Sequence, residues 1–212
     1  MHKTLLMLSC LVVMLGCVPM PDIESSMSGM YNVPSHGVSQ FDGTKYVRVT
    51  NMRCGSVMFE LYQDTPKSKA GIVLLKAGSV SIDNIGEGKS LLIKLDGKVY
   101  SFESNDSMTE HESIPTGPVG YRTTMAYSHK SYVVPEAVVR EAAASGVFLA
   151  KMYLLNNTFI EGQCSPVTME QAKESSSDTG IEIKQEHLDI GNKFSAINGF
   201  REFVRMMDVT AW

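Results

Sequence analysis

A two-residue turn between two alternating segments constrains the fold of this 212-residue chain more than any other feature. Asp96-Gly97 separates Ser90–Leu95 from Lys98–Phe102, and this dipeptide favours a type I′ turn, in which both central residues have positive φ. A turn of that length fixes the pairing register and therefore which side chains share a face. Four apolar side chains fall on one face: Leu91, Ile93, Tyr100 and Phe102. The sequence therefore predicts an antiparallel hairpin with one buried face.

Further segments predict more strands and two helices that cover them. Strand-like alternation or apolar runs occur at Lys45–Thr50, Ser56–Tyr62, Gly71–Leu75, Tyr121–Val134, Phe148–Leu155 and Thr158–Gln163. One helix begins at Pro135 and is expected to end in a left-handed stop at Gly146, and an amphipathic helix covers Phe194–Met207. The first of these helices is predicted to pack through a face of small apolar residues: Val138, Val139, Ala142 and Ala143. Thr168 and Gln171 are spaced as a capping box for a further short helix. Asn156-Asn157 predicts a second hairpin, in which Phe148–Leu155, apolar on both faces, is a central strand. Between the strands, Glu103–Gly120 is polar and is predicted to be a loop. We therefore predict an α+β fold, an antiparallel β-sheet built from hairpins with two or more helices packed on it.

The first 17 residues have the composition of a secretory leader. Lys3 precedes the apolar run Leu5–Leu15, which spans only about 16 Å as a helix, well short of a hydrocarbon core of about 30 Å. The run ends at Met14-Leu15-Gly16-Cys17, which resembles the lipobox of bacterial lipoproteins. The resemblance implies that residues 1–16 are a signal peptide and that Cys17 becomes an acylated N-terminus, carrying palmitate-type chains.

The residue after the lipidated cysteine predicts the destination of the protein. Val18, rather than aspartate, implies sorting to the outer membrane in Gram-negative lipoproteins, here facing the periplasm. The leader carries one lysine and no acid, so its removal changes the formal net charge from −4 to −5. Such a body has no basic footprint for nucleic acid, and its contact with the membrane depends on the lipid anchor.

The four cysteines then divide by location. Cys10 lies within the leader and Cys17 takes the lipid, which leaves Cys54 and Cys164. Because exported proteins fold in an oxidising compartment, we predict a disulfide between these two. The alternative is that both are separately buried as small apolar side chains.

Three segments follow from this composition. Residues 1–16 form the signal peptide, and residues 17–43, which are rich in proline, glycine and serine, form the lipidated cysteine and a flexible tether. Residues 44–212 form a single α+β body, or two subdomains at 44–103 and 120–212.

The sequence contains no recognisable catalytic or metal-binding signature. The four histidines beyond the leader are scattered without ligand spacing and are predicted to be surface residues: His36, His111, His129 and His187. Glu110 and Glu112 form an ordinary acidic pair, and neither a metal nor another cofactor is expected. Gly86–Ser90 resembles the end of a phosphate-binding loop but leads into the hairpin rather than a helix, so it is predicted to be a turn.

These features favour a membrane-anchored exported lipoprotein that binds an envelope protein or ligand, or supports envelope structure, without catalysis. Two alternatives stay open at this point: a lipid-anchored periplasmic hydrolase with an unrecognised site, and an inhibitor or exclusion factor. A site assembled from residues distant in sequence has no local signature, so the enzymatic status of the chain stays undecided here.

Overall fold

A computed structural model describes residues 30–116, 123–176, 183–210 and 212 of the chain. Within these residues the protein forms ten antiparallel strands in two sheets, together with five helices. The strands are β1 (Val33–Val38), β2 (Lys45–Cys54), β3 (Val57–Asp64), β4 (Ile72–Ser79), β5 (Leu91–Leu95), β6 (Lys98–Phe102), β7 (Glu110–Thr116), β8 (Thr123–Pro135), β9 (Phe148–Tyr153) and β10 (Phe159–Gln163). The helices are α1 (Thr65–Lys69), α2 (Glu136–Ala144), α3 (Met169–Ser176), α4 (Gln185–Lys193) and α5 (Ala196–Val209). The predicted α+β class is confirmed.

The large sheet has six strands in the order β1-β2-β3-β4-β8-β7. Strand β8 pairs with β4 on one side and with β7 on the other. Along the chain, β5 and β6 come between β4 and β7 and belong to the other sheet. On β2, β3 and β4 every second side chain faces the core, and the intervening positions, among them Arg48, Glu60 and Lys76, face the opposite side. That opposite face carries the candidate site.

The small sheet has the order β10-β9-β5-β6 and contains the predicted hairpin. Leu91 pairs with Phe102 and Ile93 with Tyr100, as the turn length predicts. Asp96-Gly97 has the positive φ angles, 46° and 93°, that a type I′ turn requires. The second predicted hairpin forms β9 and β10, and β9 is a central strand as expected.

One core lies between the two sheets and the C-terminal helix. The ring of Phe148 on β9 lies 6.2 Å from that of Phe59 on β3 and 5.0 Å from that of Phe200 on α5, measured between centroids. All three are at most 1% exposed, and burying a phenylalanine stabilises the folded state by about 1.5–3 kcal/mol. The predicted apolar face of α5 is therefore core, and α2 packs beside it.

Of the two helix ends predicted from the sequence, the start of α3 is confirmed and the end of α2 is not. The predicted capping box at the start of α3 is present, with the Gln171 N–H donating to Thr168 Oγ1 at 3.3 Å and the Thr168 N–H donating to Gln171 Oε1 at 2.9 Å. The predicted left-handed stop at Gly146 is wrong, because this glycine does not have a positive φ. Helix α2 ends at Ala144, and its C-cap is Ser145, in an extended conformation, whose hydroxyl donates to the Ala142 carbonyl.

Three other boundary predictions need correction. The tether predicted for residues 17–43 ends earlier, because Val33–Val38 pairs with β2 as an edge strand. The loop predicted for Glu103–Gly120 contains β7, which pairs with β8 although its residues are polar. The alternative division into 44–103 and 120–212 does not match the sheets, since each sheet takes strands from both ranges. Residues 17–29 lie outside the described residues.

Candidate functional site

The predicted site residues fall into two groups. Cys17, the predicted lipidation site, lies outside the described residues. Cys54 at the end of β2 and Cys164 after β10 lie side by side at disulfide-bonding distance, with Cα atoms 4.4 Å apart. Both side chains are fully buried. The predicted pairing of two cysteines that are 110 residues apart is therefore confirmed.

The outward face of the large sheet carries alternating charges, and we call it the polar face. Across it lie Arg48 of β2, Glu60 of β3, Lys76 of β4, His129 of β8 and the glutamates Glu110 and Glu112 of β7. Arg48 donates two hydrogen bonds of 2.8 Å to the two carboxylate oxygens of Glu60, which raises the pKa of the guanidinium. The polar face thus orders charges of both signs on neighbouring strands.

The edge of the polar face holds a cluster of four ionisable groups, which we call the His129 cluster. His129 Nε2 lies 2.8 Å from Glu112 Oε1 and 3.7 Å from Glu110 Oε2. Lys76 Nζ lies 3.5 Å from the same Glu112 oxygen. The hydrogen bond from His129, followed by the charge of Lys76, holds the pKa of the Glu112 carboxyl below its usual value despite partial burial.

The prediction that His129 is a surface residue is wrong, because its side chain is fully buried. The ring of Tyr127 lies against it at 4.9 Å between centroids, and Gly78 on β4 leaves room for both side chains. Burial also raises the pKa of the Tyr127 hydroxyl. Nδ1 of His129 has no hydrogen-bond partner in the described part of the chain, so the ring is held by packing and by Nε2. The other three histidines that the structure describes are exposed, as predicted: His36, His111 and His187.

The His129 cluster was not predicted from the sequence, because its members are not neighbours along the chain. Glu110 and Glu112 occupy alternate positions of β7, and His129 lies directly opposite Glu110 on β8. An alternating Glu-x-Glu segment was the available signal. It would have been informative only if Glu103–Gly120 had been recognised as containing a strand.

A serine–histidine pair on the opposite face of β7 and β8 does not form a nucleophilic site. His111 Nδ1 lies 2.8 Å from Ser128 Oγ, but that hydroxyl donates its single proton to the Ser81 carbonyl at 2.7 Å. Toward His111 it therefore accepts, the reverse of activation by a general base. Ser128 is also fully buried, and the Asp83 carboxylate accepts from Ser79 and Ser81 instead of orienting His111.

A groove of about 560 Å³ lies beside the cysteine pair. Its walls come from α3, α4, β10 and the start of the described chain. Apolar side chains form much of the lining, among them Tyr31, Val167, Leu188 and Phe194. The polar group of Asn192 is already paired with the backbone of Val167 at 2.7 and 2.8 Å. The groove therefore offers apolar contact but few free polar groups.

Comparisons with known proteins give no relative from which function could be transferred: no protein-family model, curated protein or solved structure matches the chain. Among the described helices, none combines the length and the apolar character needed to cross a bilayer.

Proposed function

We propose that this protein is an exported lipoprotein whose folded body binds a ligand or partner protein at the membrane surface without catalysing a reaction. The observation that carries the proposal is the distribution of the four cysteines. Cys54 and Cys164 lie against each other and Cys10 belongs to the leader, so Cys17 is the cysteine that the lipid would take.

Export is supported by the chemistry of the cysteine pair. Disulfides persist in oxidising compartments such as the periplasm and are rare in the cytosol. A bridge between Cys54 and Cys164 therefore fits a chain that carries the leader and the lipobox-like segment Met14–Cys17. Because Val18 rather than aspartate follows Cys17, we also propose that the anchor lies in the outer membrane, facing the periplasm.

Two features described above support binding rather than catalysis: the Ser128–His111 pair and the polar face. Ser128 is fully buried, and its hydroxyl donates its proton to the Ser81 carbonyl instead of to His111, which is the wrong proton arrangement for a hydrolase. The polar face instead presents ordered charges of both signs to solvent, and complementary charges determine the specificity and rate of protein association. We therefore propose that an envelope partner binds at the polar face.

Lipid attachment is tested by expressing the wild-type chain, C17S and C10S in a Gram-negative host. Intact mass and membrane fractionation should show wild type and C10S beginning at Cys17 with added acyl groups, in the outer-membrane fraction. C17S should lack these groups and leave the membrane. V18D should move the lipidated protein to the inner membrane. A C17S product that sediments with membranes as wild type does would contradict the proposal.

Partner binding is tested by placing a photo-crosslinking residue at Thr50 of β2, which lies beside Arg48 and Glu60 on the polar face. The matched control position is Asn156, exposed in the β9–β10 turn. We expect a discrete adduct from Thr50 in intact cells and none from Asn156. Equal labelling from both positions, or none from Thr50, would contradict binding at the polar face.

A further inference from the structure

Three potential metal ligands converge at the edge of the polar face. Glu110, Glu112 and His129 each direct one ligand atom toward the others, and these atoms all lie within 4.8 Å of one another. The convergence follows from the register, since Glu110 faces His129 across β7 and β8 and Glu112 is two positions farther along the same face. We infer that these three residues bind one divalent transition-metal ion, of which zinc is the best fit.

The measured separations suit such an ion after small side-chain rotations. Zinc–nitrogen and zinc–oxygen bonds of about 2.0–2.2 Å in a tetrahedral site place neighbouring ligand atoms about 3.3–3.5 Å apart. The Glu110 oxygen already lies 3.7 Å from His129 Nε2, and the Glu112 oxygen lies 2.8 Å from it. The second distance is a hydrogen bond, which metal binding replaces by opening the pair slightly and releasing the Nε2 proton.

The ligand side chains combine one fixed donor with two adjustable ones. His129 is fully buried and packed against Tyr127, so its Nε2 is held in place before any ion arrives. The side chains of Glu110 and Glu112 are 59% and 50% exposed, so both carboxylates have room to rotate toward an ion. A fixed imidazole lowers the entropic cost of assembling the site.

The donor set determines which class of ion fits. Imidazole nitrogen suits zinc and neighbouring transition metals, whereas magnesium and calcium prefer oxygen ligands alone. Three protein ligands also leave a fourth tetrahedral position open to solvent. At that position the ion would accept water or a carboxylate or imidazole from a bound partner. The inference concerns the folded body and does not depend on lipid attachment.

Lys76 is the internal competitor of the ion. Its ammonium lies 3.5 Å from the Glu112 oxygen that also faces His129, and it is the cation that now neutralises this carboxylate. Metal binding displaces this contact, because two cations close to one carboxylate repel each other. Removing the charge at Lys76 should therefore tighten metal binding, whereas a purely structural role of the His129 cluster predicts no such gain.

The test is calorimetric titration of zinc chloride into the purified full chain in detergent, after chelator treatment, near neutral pH. We expect one site per chain. E110Q and E112Q should each weaken binding at least about tenfold, since even residues that only support metal ligands contribute that much. K76M should bind more tightly than wild type. Magnesium in excess should not displace the zinc.

Two further measurements distinguish the site from an adventitious one. H187N removes a surface histidine near Glu186 and should bind zinc as wild type does. Circular dichroism should show that the glutamine variants, whose side chains are exposed, remain folded. Absence of stoichiometric zinc binding would overturn the inference, as would E110Q and E112Q binding as tightly as wild type, or a loss of binding in H187N. Failure of the C17S experiment would leave this result unaffected.

Discussion

Gly162 of β10 lies directly against the carbonyl group of Cys54 at the end of β2, so the two sheets meet there backbone to backbone. A Cβ atom on Gly162 would overlap the Cys54 carbonyl oxygen and the backbone of Gly55. This approach brings Cys54 and Cys164 within bonding distance. The junction between the sheets therefore depends on the absence of one side chain.

G162A should lower the free energy of unfolding by at least about 2 kcal/mol, because the added methyl group meets backbone atoms that have no room to move. Urea denaturation measures the change. The matched control is G191A, in α4, where nothing lies near the added atom and alanine is the better helix former, so a small gain is expected. Equal effects of the two substitutions would contradict the proposed close approach.

Reduction of the Cys54–Cys164 pair should lower the free energy of unfolding by about 4–5 kcal/mol. A bridge between residues 110 positions apart restricts the unfolded chain strongly. Urea denaturation with and without reductant measures the difference. The control is C54A/C164A, whose stability should not respond to reductant. A wild-type chain equally indifferent to reductant would show that no bridge forms.

D64N should destabilise the protein at neutral pH, and the difference should vanish in acid. Burial raises the pKa of Asp64, but hydrogen bonds from the Lys67 side chain and backbone N–H outweigh it, so the pKa lies below its ordinary value of 3.8. A depressed pKa contributes stability above the unfolded value, and the contribution is lost as pH falls through the lower folded value.

Because Lys67 is partly exposed, we expect a difference of about 0.5–1 kcal/mol between wild type and D64N at pH 7. Asparagine retains the N-cap of α1, so D64A should cost more than D64N at pH 7. Urea denaturation at pH 7 and below the ordinary carboxyl pKa measures both. A difference that persists unchanged in acid would show that charge is not its cause.

D96G should destabilise the protein although glycine suits the turn. The Asp96 carboxylate accepts hydrogen bonds from the backbone N–H groups of Val147 at 2.8 Å and Gly146 at 3.1 Å, joining the β5–β6 turn to the start of β9. Loss of these exposed bonds should cost about 1 kcal/mol in thermal or urea unfolding. D96N retains Oδ1 and should cost less. If D96G were as stable as wild type, the hydrogen bonds to Gly146 and Val147 would contribute nothing, and Asp96 would serve the turn alone.

Local signals predicted the elements that sequence neighbours define. The register of β5–β6 follows from the positive φ that Asp96-Gly97 favours, and the Thr168–Gln171 capping box follows from side chains three residues apart. The apolar face of α2 was predicted residue by residue: Val138, Val139, Ala142 and Ala143. These interactions join residues that are only a few positions apart, so the local sequence is enough to predict them.

The signals failed where an element gains its stability from a distant partner. The edge strand β7 has polar side chains and a proline at Pro115, so alternation and β propensity are both weak there. It forms because β8 offers a free row of backbone hydrogen-bonding groups. The edge strand β1 was missed for the same reason, since its proline and glycine suggested a tether.

By itself, the sequence determined the two hairpins, the packing faces of α2 and α5, and which cysteines were available to pair. Tertiary structure alone decided that β8 lies between β4 and β7. That choice buried His129 and placed it beside Glu110 and Glu112. The physical reason is that nearby residues determine turns and helix faces, whereas the edge of a strand can pair with many different strands. Only the packing of the whole core selects one of these pairings.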